Sequence, residues 1–197
     1  MTTEVRIETF RRALEDASLS TAQIVQRYLV HPTPYVFENA EGSYFDLKNR
    51  IAVQFGVNPE EIKMVGSAKL GFSIAPKKLW KPFDDSSDID MVIVSRRVFD
   101  EFWQELHGFN INLTARSEGE EKLYKRFLEY FFQGWLRPDV FPFDYPGKQQ
   151  WFDFFKRISY GQFGYRKVAG AIFCNMHFFE TYHVKNVKQL RSGGTQE

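Results

Sequence analysis

"MVGSAKLGFSIAPKKLWKPFDDSSDIDMVIV" (residues 64–94) holds a Gly-Ser pair, a long loop, and an apolar run that opens with two aspartates one residue apart. Its last part, "SDIDMVIV", is the clearest strand of the chain, rich in Val and Ile. Side chains alternate faces along a strand, so Asp88 and Asp90 share a face with Val92 and Val94. Ile89, Met91 and Ile93 face the other way, where a helix can cover them. Two carboxylates so spaced lie ~7 Å apart and repel by about 2 kcal/mol at an effective dielectric of ~20. An oxygen-seeking divalent cation removes that cost, and Mg²⁺ typically takes one or two carboxylates plus substrate phosphate oxygens. A pair of such ions clamps the attacking and leaving oxygens of a phosphoryl displacement.

The other end of the stretch supplies the features of a phosphate site. "EIKMVGS" (61–67) reads as a short strand running into a turn that starts a helix. Gly66 lets the backbone turn and come close to a ligand, and Ser67 offers a hydroxyl and an amide where free N–H groups favour an anion. Lys69 is within reach of the same phosphates; Gly71 and Ser73 add a permissive point and a donor. In the loop between, Lys77, Lys78 and Lys81 with Trp80 form either a flap over a nucleotide or an exposed loop whose Trp packs back on the body.

Working outward, residues 4–16 read as a helix, and Ser20 caps a second, "TAQIVQRYL", that stops before His31-Pro32. "HPTPYVFENAEGS" is a loop, and "YFDLKNRIAVQFGV" a helix ended by Gly56 and Asn58-Pro59. Beyond the Asp strand come a helix "RRVFDEFWQELHGF" capped by Ser95 and a long aromatic helix over 118–135. The Pro-rich "RPDVFPFDYPG", a short helix "QQWFDFFKRIS", a late strand "YRKVAGAIFC" and a terminal helix "HFFETYHVKNVKQLR" follow. This order predicts an α/β (α+β) domain with a small mixed sheet flanked by helices. Residues 1–197 form one domain, with a core at about 50–175 and helical extensions at 1–30 and 176–191.

Composition bounds the class. The chain is 43% hydrophobic and 26% charged, in the range of a soluble globular protein. No window reaches the length of a membrane span, and "MTTEVRIETFRRALEDAS" lacks the apolar core of a signal peptide. Cys174 is the only cysteine, which excludes an internal disulfide and points to the cytoplasm. Net charge is +1, with eight Lys/Arg against three Asp/Glu over residues 145–197, short of the basic stripe of a dedicated nucleic-acid binder. None of the four His shows zinc-ligand spacing, and neither a P-loop nor a dinucleotide fingerprint is present.

Taken together, "VGSAKLGFS" (65–73) and "SSDIDMVIV" (86–94) resemble the nucleotidyltransferase superfamily typified by DNA polymerase beta, which includes minimal bacterial and aminoglycoside nucleotidyltransferases, poly(A) polymerases and oligonucleotide-cyclising synthases. The resemblance implies nucleotide binding by Gly66, Ser67, Lys69 and Ser87, and metal-dependent catalysis by Asp88 and Asp90 holding Mg²⁺ or Mn²⁺. It implies transfer of a nucleoside monophosphate from an NTP, ATP foremost, to a protein, tRNA or small-molecule acceptor, in bacterial stress or antiphage defence. The superfamily usually places a third carboxylate on a later strand, yet "YRKVAGAIFC" has no acid. Asp139 and Asp144, with Asp153 behind them, are the nearest substitutes. A second reading is therefore a catalytically degenerate relative that binds a nucleotide or a protein partner as a regulatory subunit. A third is an α/β interaction protein whose Asp pair is a strand cap.

Overall fold

The computed structural model describes residues 2–110 and 115–193. The chain enters through α1 (Thr3–Glu15) and α2 (Thr21–Val25), the latter carried on by a π-helical turn, Gln26–Val30. The Ser20 hydroxyl accepts from the Gln23 amide while the Gln23 side chain accepts from the Ser20 amide, the reciprocal box that fixes a helix start. A 3-10 turn at Tyr35–Phe37 interrupts the expected loop. Next, α3 (Glu41–Phe55) starts within the loop's predicted end and stops at Gly56. Then come β1 (Ile62–Val65), the single turn α4 (Gly66–Leu70), the loop, β2 (Ile89–Val94) and α5 (Arg96–Asn110). The rest is α6 (Glu118–Phe132), β3 (Trp135–Leu136), α7 (Pro146–Ile158), β4 (Val168–Phe173) and α8 (Met176–Arg191).

The helix expected over 118–135 ends at Phe132. Gly134 adopts φ +67°, and a Cβ there would lie 2.3 Å from the Phe178 ring, so only glycine lets the chain turn this tightly against α8. The turn releases Trp135 and Leu136 to pair with Phe173 and Ile172.

The four strands run in the order β1-β2-β4-β3, with β2 parallel to β4 and the two outer pairs antiparallel. The protein is thus α+β, built on a mixed sheet. The strand expected from Asp88 begins at Ile89, and the alternation read there is observed over residues 89–94. Ile89, Met91 and Ile93 pack beneath α3, α5 and α7, against Leu47, Ile51, Val98, Phe102, Trp151 and Phe155. Val92 and Val94, with Ala171 and Phe173 of β4, face Phe179 of α8. A third cluster, Phe10, Leu14, Ile24, Leu29, Phe72 and Val187, joins α1 and α2 to α8. α8 is therefore packed across the aspartate face of the sheet, with α1 and α2 packed against α8. Among the described residues, no helix is long and apolar enough to cross a membrane.

Candidate active site

Asp90 is flanked in register by Val65 on β1 and Ala169 on β4. Because Gly66 follows Val65, the Gly-Ser turn meets the aspartate directly. Gly66 has φ +70°, and a Cβ placed on it would sit 2.7 Å from Asp90 Oδ2. Both the left-handed backbone and the carboxylate require glycine here. Gly66→Ala is accordingly expected to lower stability by about 2 kcal/mol, read as a reduced midpoint in urea. A variant as stable as the wild type would remove the close approach from the argument.

The turn and the Asp pair line one cavity of about 830 Å³, with Ser67, Arg137 and His183 on its walls. That size is within the range of small-molecule sites. Electrostatics in it are incompletely balanced. The Asp90 carboxyl is pushed up to about 6, first by burial and then by Asp88, against the pull of Arg137, Lys167 and Lys78. Lys167 Nζ lies 3.5 Å from Asp88 Oδ2. Among the described residues no donor hydrogen-bonds the Asp90 carboxylate.

Two acidic side chains on one cavity wall, Asp90 on β2 and Asp88 just before it, fit a divalent cation that shares its shell with phosphate oxygens. Asp88 and Asp90 are the residues that would hold it. Among the described residues no group of three His, Cys, Asp or Glu side chains forms a further metal cluster.

The other expected site residues are distributed unevenly. Ser67 and Ser87 line the cavity, but the Ser87 hydroxyl donates to Asp84 Oδ1 at 3.0 Å. Lys69 is not brought to the cavity. It is a buried residue of α4, its ammonium donates to the Pro32 carbonyl, and burial, then Lys63 and Lys48, lowers its pKa to about 8. Trp80 packs back on the body, against Phe10 and Phe72, with the Arg11 guanidinium 4.7 Å above its ring. Of the loop lysines, Lys78 and Lys81 reach the cavity wall, and Lys81 is held by Asp84 at 2.8 Å.

No acid completes the pair from the expected places. Asp139 receives Arg137 Nε at 3.0 Å, Asp144 is fully exposed beside Lys148, and Asp153 accepts from Gln149 on α7, which packs on the opposite face of the sheet. Ala169 occupies the position level with Asp90 on the parallel strand.

Three residues of the site escaped the sequence reading. Lys167 immediately precedes β4, so pairing that strand beside the aspartates would have exposed it. Arg137 opens the segment read as a Pro-rich loop, and the pairing of β3 with β4 just before it is what carries it to the cavity. His183 carries no motif, and only the way α8 folds back puts it on the cavity. Positioning is helped by Arg166: its guanidinium donates to the Asp84 carbonyl and, at 2.9 Å, to the Asp85 carboxylate, tying the loop before Asp88 to the segment before β4.

Compared with protein-family models, curated proteins and solved structures, the chain matches none. The likeness in residues 65–73 and 86–94 therefore stands on the residues themselves.

Proposed function

We propose that this protein is a Mg²⁺-dependent nucleotidyltransferase that moves a nucleoside monophosphate from an NTP to an acceptor hydroxyl. The observation that carries the reading is the contact of Gly66 with the Asp90 carboxylate on the wall of a cavity that also holds Ser67 and Asp88. A tight glycine turn pressed against one member of a carboxylate pair has little structural use of its own, since it sets polar groups and charge repulsion together on a cavity wall. It suits a triphosphate bridged to the protein by a cation. When bound, that cation would neutralise charge on the transferring phosphoryl group. Gly66 and Ser67 would receive the phosphates through the backbone and the hydroxyl, and Arg137 and Lys167 would add positive charge around them.

A second reading, the nucleotide-binding regulatory subunit, is favoured by one specific observation: Ala169 in the place level with Asp90. The two separate by experiment. Mg²⁺ with ATP is expected to raise the melting temperature of the wild type, by a few degrees at ATP well above its Kd. Asp90→Asn should lose most of that rise, and α-labelled ATP should yield a labelled product with the wild type alone. A rise that survives in Asp90→Asn would remove the Asp pair from the site. A rise without product would select the regulatory reading.

A further inference from the structure

We propose that Lys167 is the resident counter-ion of the aspartate pair, which limits the site to one divalent cation that enters with the nucleotide; this rests on the nucleotidyltransferase reading above. On entry the Lys167 ammonium passes from Asp88 to a phosphate oxygen. The sheet itself puts the lysine in place. The Ile89 amide donates to the Lys167 carbonyl at 2.9 Å, next to the paired residues Ile89 and Val168, so the Lys167 backbone lies level with Asp88. Ala169 and Ala171 line the cavity, and Lys167 precedes Ala169 by two residues, which turns its side chain to the same face. Its ammonium ends 3.5 Å from Asp88 Oδ2.

On β4, therefore, the small Ala169 stands level with Asp90, and the segment entering the strand sets a cation level with Asp88. With both carboxylates ionised, Asp88, Asp90 and Lys167 together carry one net negative charge. That suits one divalent ion whose shell is completed by phosphate oxygens. The same ammonium repels a bare divalent ion at close range.

Lys167 is also the cation that can be handed over. Other basic groups around the pair are committed: Arg137 to Asp139 at 3.0 Å, Lys81 to Asp84 at 2.8 Å and Arg166 to Asp85 at 2.9 Å. Lys78, on the loop wall, pulls less on Asp90 than Lys167 does. Among the described residues the ion-pair partner of Lys167 is Asp88, at a distance longer than a charged hydrogen bond, with the lysine 56% and the aspartate 43% exposed. A pair so exposed is held weakly, and a flexible ammonium can exchange a carboxylate for a phosphate without breaking a buried contact. Neither ligand is well received alone: the ion meets the ammonium, and the triphosphate meets two carboxylates. Together they satisfy both.

The test uses the full chain at pH 8, as wild type, Lys167→Met and Lys167→Arg. Each is titrated with Mn²⁺ alone, followed by the electron paramagnetic resonance of the free ion. Each is titrated separately with Mg²⁺ and the non-reacting α,β-methylene analogue of ATP, followed by the thermal shift. Wild type and Lys167→Arg are expected to bind a single Mn²⁺, weakly. Lys167→Met should bind Mn²⁺ about 10-fold more tightly and the nucleotide analogue about 10-fold more weakly. Equal Mn²⁺ affinity in wild type and Lys167→Met would overturn the counter-ion role, and two ions of similar affinity in the wild type would overturn the single-cation site. Both results leave the transferase reading standing. Tighter Mn²⁺ with undiminished nucleotide binding would overturn the passage of the ammonium to phosphate. No bound Mn²⁺ and no nucleotide shift in any of the three proteins would remove the transferase reading itself, and this proposal with it.

Discussion

Replacing Arg191 with methionine is expected to cost about 3 kcal/mol of folding stability, the summed loss of several charged hydrogen bonds after partial relaxation. The guanidinium at the end of α8 donates to four carbonyls: Leu14 and Leu19 at 2.8 Å, Asp16 at 3.1 Å and Ala13 at 3.3 Å. Ala13 and Leu14 belong to the last turn of α1, whose carbonyls have no partner within the helix and whose dipole favours a cation. One side chain thus ties the first helix to the last, across the cluster of Phe10, Leu14 and Val187. Arg191→Lys should recover less than half of the loss, because a single ammonium cannot fork to four acceptors. Urea denaturation of the three proteins measures this, and hydrogen exchange should show the α1 end opening first. Equal midpoints for wild type and Arg191→Met would show that water satisfies those carbonyls as well. Because α8 walls the cavity, the methionine variant should also bind Mg²⁺ and ATP more weakly.

The second large effect is a pH dependence hidden by two opposed titrations. The His183 pKa is lowered from 6.5 to about 4 by burial. The unfolded chain therefore binds this proton as pH falls through 6.5 while the folded one does not until about 4, so stability is lost across that window. The Asp90 pKa is raised from 3.8 to about 6, by burial first and Asp88 second. Here the folded chain binds the proton first, so stability is gained as pH falls from about 6 to 3.8. Each amounts to about 3 kcal/mol, and they nearly cancel in the wild type. Single substitutions should unmask them. Relative to wild type, His183→Phe should gain about 3 kcal/mol between pH 7 and 4, and Asp90→Asn should lose a similar amount over the same range. At pH 8 without metal, Asp90→Asn should be the more stable protein. Urea midpoints at a series of pH values decide it: difference curves that stay flat between pH 4 and 7 would sink both assignments.

The stability that Asp90 takes away at neutral pH bears on function. A buried carboxylate kept ionised beside a second one destabilises the folded chain, a cost that the proposed role in holding a cation would account for. A cation bound between Asp88 and Asp90 would reverse the sign of that contribution. Mg²⁺ with ATP should accordingly stabilise the wild type more at pH 8 than at pH 5, where Asp90 holds a proton.

The sequence by itself determined what depends on near neighbours along the chain. The face shared by Asp88, Asp90, Val92 and Val94 follows from the two-residue period of a strand. The start of α2 follows from Ser20, and the end of α3 from Gly56. Gly66-Ser67 was legible as a turn because a positive φ suits glycine. Only the tertiary structure decided which side chains share the cavity. Lys69 follows Ser67 by two residues yet turns to the Pro32 carbonyl, because two residues of helix, about 200° of rotation, swing it to the far side of α4. Arg137 comes beside Asp90 only because Gly134 breaks the aromatic helix and β3 pairs with β4. Ala169 stands where an acid would be read, which is visible only once β2 and β4 are in register. His183 reaches the site because α8 folds back over the sheet. Periods, caps and turns are settled by contacts within a few residues. Register and helix docking are settled by packing between segments tens of residues apart, and no local pattern encodes which of those segments will meet.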